Sequence, residues 1–239
     1  MKAPDITLYH FELCPYCQKV CAGLDLKGLA YRKVQVNPVS KKELPKLPEM
    51  APRKVPVIVV DGELRWDSTT ILEFLDERFP GPVRFLPSDR AQHDKAKEIE
   101  NWVDDALIFA IPTVIYGTWG EALKAAQITA RTSNFGLLQN VMVRAGGSVI
   151  MHEVSKRILA KRGQTDGRAW LAREVDRFEE WLGDGPFVCG PEATMGDVAT
   201  HGALTCIREF PAFGELMKRP RLHAWYERVA ELRALHRPN

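Results

Sequence analysis

Cys14 and Cys17, in the run Cys14-Pro15-Tyr16-Cys17, are the residues whose type and spacing specify chemistry most directly. They follow the alternating run Ile6-Thr7-Leu8-Tyr9 and open a helix-like segment, Gln18 to Lys27. A thiol at a helix N-terminus meets unpaired amide N–H groups and the positive end of the macrodipole, and both favour the thiolate. There a cysteine pKa falls from about 8.5 into a range of roughly 3.5 to 7.5, and the thiolate is the nucleophile. Cys14 is the candidate nucleophile, and Cys17, one turn further in, can resolve a mixed disulfide formed on it. The same spacing also serves zinc, but no second Cys or His pair follows at ligand spacing, so no metal is assigned. Cys21 extends the pair to a three-cysteine cluster of the kind that holds iron and sulfur, or is a small buried helix residue. Cys189 and Cys206 stand alone and read as structural.

Two further features point at the same place. Val55-Pro56 introduces an apolar strand, and a proline there suits a cis peptide that aims the Val55 backbone outward, free to pair with an extended peptide. Asp67-Ser68 opens a helix whose free N–H groups and Ser68 hydroxyl can hold a carboxylate, while Asp67 accepts from an ammonium group. A thiol, a short backbone and an amino-acid head group together describe glutathione. The candidate contacts are Cys14, Pro15, Tyr16, Lys54, Val55, Pro56, Asp67 and Ser68. A hydrophobic second substrate would meet Phe11, Tyr16, Trp102, Phe109 and Tyr116, with Ile108 and Trp119 beside them; aromatic residues at helical spacing also pack as core. Asp104 and Asp105 either face that cleft or bind a helix end. His10 lies close enough to the turn to tune the thiol, and the remaining histidines form no ligand pattern.

These residues need a scaffold, and the first third supplies one. Tyr31 to Val36 alternates as a half-buried strand, and Asn37 to Arg53 is polar and proline-bearing with room for one short helix. Val55 to Val60, the turn Asp61-Gly62 and Glu63 to Trp66 predict a hairpin. A helix follows with Ile71, Leu72, Leu75 and Phe79 on one face, capped by Asp67 or Ser68 and stopped by Pro80-Gly81-Pro82. Beyond Asp89 the pattern is helical. Ala91 to Ile111 predicts a long helix that Pro112 kinks or ends. Leu171, Val175, Phe178 and Leu182 share a helix face, Thr194 and Asp197 are spaced as a capping box, and a last helix carries Leu222, Trp225, Tyr226, Val229 and Leu232. The fold class is α/β plus all-α: residues 1–80, a linker at 81–89, and a helical domain at 90–239.

Composition narrows the function classes. The 239 residues are 45% hydrophobic and 27% charged, as in an ordinary globular protein. A formal charge of +2 gives no electrostatic case for nucleic acid, and pairs such as Lys156-Arg157 and Lys161-Arg162 read as solvated helix faces. Five cysteines, three crowded together, do not form a secreted disulfide scaffold, so a reducing, cytoplasmic setting is expected. Met1 to Asp5 leads into a strand without an apolar leader, and Ala106 to Tyr116, the longest apolar stretch, falls short of the ~20 residues that span a bilayer.

The order of these motifs, Cys-x-x-Cys, Val-Pro, acidic-Ser before a helix, a proline-rich linker and a helical domain with a Thr-x-x-Asp box, resembles glutathione transferases and two-domain glutaredoxins over the whole chain. Blocks such as Val36-Asn37-Pro38-Val39, Arg53-Lys54-Val55-Pro56, Trp102-Val103-Asp104-Asp105 and Trp225-Tyr226-Glu227-Arg228-Val229 are similar to the soluble part of the type-2 membrane-associated prostaglandin E synthases. The resemblance implies a thioredoxin-like βαβαββα domain packed on a helical bundle, a homodimer, glutathione as cofactor, and haem held through the glutathione thiol as an option. The activity it implies is glutathione-dependent thiol transfer catalysed by Cys14 and Cys17. The alternatives are isomerisation or reduction of a hydrophobic peroxide, or a haem or iron–sulfur carrier. Phe11 stands where those synthases carry a tyrosine, which removes a hydroxyl from the peroxide reading.

Overall fold

A computed structural model describes residues 3–132 and 147–238, so the Met1-Lys2 part of the leader reading lies outside the described residues. The chain begins β1 (Ile6–His10), α1 (Pro15–Leu26), β2 (Arg32–Gln35), β3 (Val57–Val60), β4 (Glu63–Trp66) and α2 (Ser68–Arg78). Four strands form one sheet in the order β2-β1-β3-β4, with β1 parallel to β2 and antiparallel to β3, and β3 antiparallel to β4. This is the thioredoxin-like arrangement. The central strand β1 is buried except in part at Tyr9. The β3–β4 hairpin turns at Asp61 and Gly62, both at positive φ, as the Asp-Gly pair demands.

One expected element is different. The segment between β2 and β3 forms turns rather than a short helix. Pro38, Pro45, Pro48 and Pro52 each remove an amide donor and bias the preceding residue towards extended backbone. Asn37 starts the course by accepting from the amides of Val39 (2.9 Å) and Ser40 (3.1 Å), a local alternative to helix.

Among the described residues beyond α2 the named elements are helical: α3 (Arg90–Trp102), a π-helical turn (Val103–Leu107), α4 (Ile108–Ile115), α5 (Trp119–Thr132), α6 (Ser148–Lys161), α7 (Gly167–Leu182), α8 (Met195–Thr205), α9 (Pro211–Leu216) and α10 (Pro220–His236). The helix expected to kink or end at Pro112 continues unbroken from α3 through the π turn and Pro112, and ends at Ile115. The face Leu171, Val175, Phe178 and Leu182 is buried, and so are Leu222, Trp225, Tyr226 and Val229. Among the described residues no single helix is long and apolar enough to cross a membrane.

The two layers meet where α1 crosses α8. A Cβ on Gly202 would lie 2.5 Å from the Lys19 Cα and 2.6 Å from its amide nitrogen, so only glycine lets these backbones touch. Behind the crossing, Asp197 fixes α8: it accepts from the amides of Thr194 (2.9 Å) and Val188 (3.2 Å) and from the indole of Trp225 (2.8 Å). The expected capping box is therefore present, and its acid also ties down a loop and α10. Buried Lys27 fastens the linker, donating to Asp76 (2.6 Å) and to the carbonyls of Pro80 (3.1 Å) and Val83 (2.7 Å).

Candidate functional site

Strand register decides which residues meet. Tyr9 pairs with Val57, and Val57 pairs with Trp66. The end of β1, the start of β3 and the end of β4 therefore share one edge of the sheet. Beyond that edge stand Cys14, which caps α1, the Val55-Pro56 bond, which is cis, and Asp67-Ser68, which opens α2. Three stretches some 40 and 12 residues apart in sequence are thus gathered by topology alone.

Cys14 is half-buried and is the N-cap of α1, with Pro15 at the first helical position, where a missing N–H costs nothing. Its carbonyl accepts from Gln18 (3.0 Å) and its amide donates to Phe11 (3.1 Å), which fixes the turn. The Cys14 thiol is pulled below its ordinary value by a hydrogen bond from the Cys17 thiol, with the amides of Cys17 and Tyr16 adding to it against the opposing effect of burial. Cys17 is fully buried, and burial together with its bond to Cys14 pushes its thiol well above the ordinary range. The two thiols are therefore shifted in opposite directions, Cys14 as the acceptor of the shared hydrogen bond and Cys17 as its donor. Cys21 is buried deeper along α1, where burial raises its thiol as well.

The head-group end has a different character. Asp67 sits at φ 70° and ψ 126°, a sparsely populated conformation for a residue with a side chain, while its carboxylate accepts from the Thr70 amide (3.1 Å). Such outliers persist where the surroundings over-determine them. Next to it, the Ser68 hydroxyl is buried and has no partner among the described residues. A hydroxyl paired with nothing at the start of a helix fits the carboxylate of an amino-acid head group. Lys54 is exposed beside the cis bond.

Beneath α2 lies a buried ion cluster that spacing alone did not reveal. Lys19 is fully buried and donates to Glu100 (2.7 Å) and to Asp104, and the Thr69 hydroxyl donates to the same two carboxylates (2.6 and 3.2 Å). The π turn starts between the two acids, and such turns gather at functional sites. Burial, partly offset by Lys19, raises the Asp104 carboxyl. One oxygen of Glu100 remains buried and unpartnered. Only a helix-spacing argument over Glu100 and Asp104 could have marked these residues as neighbours.

Of the proposed apolar wall, the structure keeps a part. Phe11 and Tyr16 are half-buried beside the thiol turn, and burial, with Asp104 and Cys14 next in weight, raises the Tyr16 phenol to about 12. Tyr116 caps the end of α4, and burial, with Cys206 and Cys14 contributing, raises its phenol, which places it within electrostatic reach of the nucleophile. Trp102 is core: it is 5% exposed, donates to Glu174 (2.8 Å) and packs on Phe178 and Trp181. Ile108 is buried too, whereas Trp119 is exposed and packs on His152. Phe109 is covered by the Arg162 guanidinium, 3.8 Å from its ring centre. His10 is buried and held neutral, its pKa pushed down to about 4 by burial and by Lys33. Among the described residues no three His, Cys, Asp or Glu side chains cluster as metal ligands.

The model of the glutathione S-transferase N-terminal domain matches residues 8–83, and that of the C-terminal domain matches residues 160–232. The chain belongs to the glutathione S-transferase superfamily. Within it, this transferase-superfamily protein is 27% identical to prostaglandin E synthase 2 of Mus musculus, over 94% of this chain and 69% of that one. The Danio rerio prostaglandin E synthase 2 is 26% identical over 94% and 70%. Among solved structures, a rice glutathione S-transferase in complex with glutathione superposes with a TM-score of 0.64 at 20% identity, covering all of this chain and 92% of its own. Both halves of the transferase architecture are thus present, and they frame a glutathione-binding protein.

Proposed function

We propose that the protein is a glutathione-dependent thiol transferase with Cys14 as its nucleophile. The observation that carries this reading is the unequal pair: a half-exposed Cys14 whose thiol is lowered, beside a fully buried Cys17 whose thiol is raised. The Cys14 thiolate attacks the glutathionyl sulfur of a mixed disulfide, forms the Cys14–glutathione bond and expels the substrate thiolate, which takes a proton from solvent. A second glutathione, as its thiolate, attacks that bond, releases glutathione disulfide and restores the Cys14 thiolate. Cys17, buried and held as a thiol, serves as hydrogen-bond donor to the anion more readily than as attacker. Glutathione would lie against the Val55 backbone edge, with its head group at Asp67 and Ser68 and Lys54 at its other end.

The test compares Cys14→Ser with Cys17→Ala on a glutathionylated peptide. Cys14→Ser is expected to lose at least a thousandfold in kcat/KM. Cys17→Ala is expected to keep turnover but to move the pH–rate midpoint upward, because the thiolate loses its donor. Equal, complete loss in both variants sinks the monothiol route.

The similarity to the prostaglandin E synthases 2 over nearly the whole chain favours a second reading, isomerisation of a hydrophobic peroxide by the same thiol. Turnover of a lipid endoperoxide with none of a glutathionylated peptide would select it.

A further inference from the structure

The two ends of the candidate site stand on different helices: Cys14 caps α1, and Ser68 opens α2. The first is fixed against the helical domain at Lys19. Its backbone touches α8 at Gly202, and its fully buried ammonium group donates to Glu100 (2.7 Å) and to Asp104. The Thr69 hydroxyl, one residue beyond Ser68, donates to the same two carboxylates, at 2.6 Å to Glu100 and 3.2 Å to Asp104. Glu100 Oε1 therefore accepts from α1 and from α2 at once.

Such a junction is stiff, because Lys19 and Glu100 are withdrawn from water and hydrogen bonds to charged groups are the strong ones. Among the described residues the other polar tie from α2 to α3 is the ion pair of Glu73 with Lys97, which is partly exposed and so holds weakly. Thr69 is the inner link. Asp67, on the other side of Ser68, keeps its positive φ only where its surroundings over-determine it, and an anchored Thr69 is one such constraint. We infer that Thr69 is a positioning residue: through the carboxylates it shares with Lys19, it holds the Ser68 hydroxyl in register with the Cys14 thiol, so that one glutathione reaches both. This rests on the glutathione reading above and adds the residue that sets the spacing between its two ends.

The experiment titrates S-methylglutathione, which cannot exchange disulfides, into the full chain and follows the heat. The variants are Thr69→Val, Thr69→Ser, Ser68→Ala and the double variant Ser68→Ala/Thr69→Val. On the same samples without ligand, the pH dependence of Cys14 alkylation by iodoacetamide is read from peptide masses. Thr69→Val is expected to weaken binding about fivefold, the weight of one hydrogen bond, and Thr69→Ser, which keeps the hydroxyl, to bind as the wild type does. Ser68→Ala should weaken binding about tenfold, and the double variant should be no weaker than Ser68→Ala alone, because Thr69 acts through Ser68. The alkylation midpoint should stay in place throughout, since α1 keeps its own hold through Lys19. Four results overturn the inference and leave glutathione binding intact: Thr69→Val binding as tightly as the wild type, Thr69→Ser as weak as Thr69→Val, losses that multiply in the double variant, or a midpoint that moves with Thr69→Val. Failure of the wild type to bind removes the glutathione reading and this inference with it.

Discussion

Asp197 in the helical domain and the group beneath the cleft, Ser68 with Glu100 and Asp104, are both buried polar clusters, and they are satisfied to very different degrees. Asp197 collects two amides, an indole and the Thr194 hydroxyl, so a fully buried carboxyl has a partner for each oxygen. On the cleft side the Ser68 hydroxyl and one Glu100 oxygen have no partner, and Asp67 holds a sparsely populated backbone conformation. A buried polar atom without a partner costs about 1–3 kcal/mol, so the Ser68 hydroxyl at the start of α2 is held at a cost that a ligand can offset. The difference teaches that the Asp197 cluster is finished by folding, while the polar group that Ser68 and Glu100 form across the two domains keeps atoms free to meet a ligand.

Three measurements can break or sharpen that contrast. The largest effect belongs to Asp197→Ala, which strands the Thr194 and Val188 amides and the Trp225 indole; urea unfolding should show a loss of about 3–5 kcal/mol. A loss below about 1 kcal/mol would erase the contrast from the helical side.

Next comes pH. His10, at the end of β1, is a second buried group left open, with an unpartnered Nδ1 and a pKa pushed down to about 4 from 6.5 by burial and by Lys33. The unfolded chain binds a proton at this site between those values and the folded chain does not, so stability falls as pH drops from about 6.5 to about 4. At 1.36 kcal/mol per pKa unit the change is about 3 kcal/mol. His10→Asn should flatten that part of the stability–pH curve, and an unchanged slope in the variant would assign the effect elsewhere.

The smallest effect on stability belongs to Ser68→Ala. Because the hydroxyl pairs with nothing in the ligand-free protein, its removal should cost no stability and should raise it by about 1 kcal/mol as the unmet desolvation is relieved, while glutathione affinity drops about tenfold. If Ser68→Ala destabilised the protein as much as Asp197→Ala, the two clusters would be alike after all.

Much of this arrangement was legible in the chain, for local reasons. Cys14-Pro15 at a strand–helix junction, the Asp61-Gly62 turn, the Asp67 cap and the Thr194–Asp197 box are each written within a few residues, because caps and turns are satisfied by near neighbours. The segment after Asn37 has the length for a short helix, but its four prolines are four obstacles to one. Trp102 misled because helical spacing says that a residue faces something, and only packing says whether that is core or cleft.

By itself the sequence determined the two-part α/β and helical order and marked Cys14, Val55-Pro56 and Asp67-Ser68 as candidates for one site, since each depends on short-range backbone geometry. Tertiary structure alone decided the opposite shifts of the two thiols, Cys14 downward and Cys17 upward, because burial and a shared hydrogen bond set that balance. It also decided the Lys19–Glu100–Asp104 cluster and the seat of Arg162 on Phe109, pairs separated by 81, 85 and 53 positions. Contacts of that range form only when distant elements pack, across the domains for Lys19 and within the helical domain for Arg162, and no local pattern in the chain encodes them.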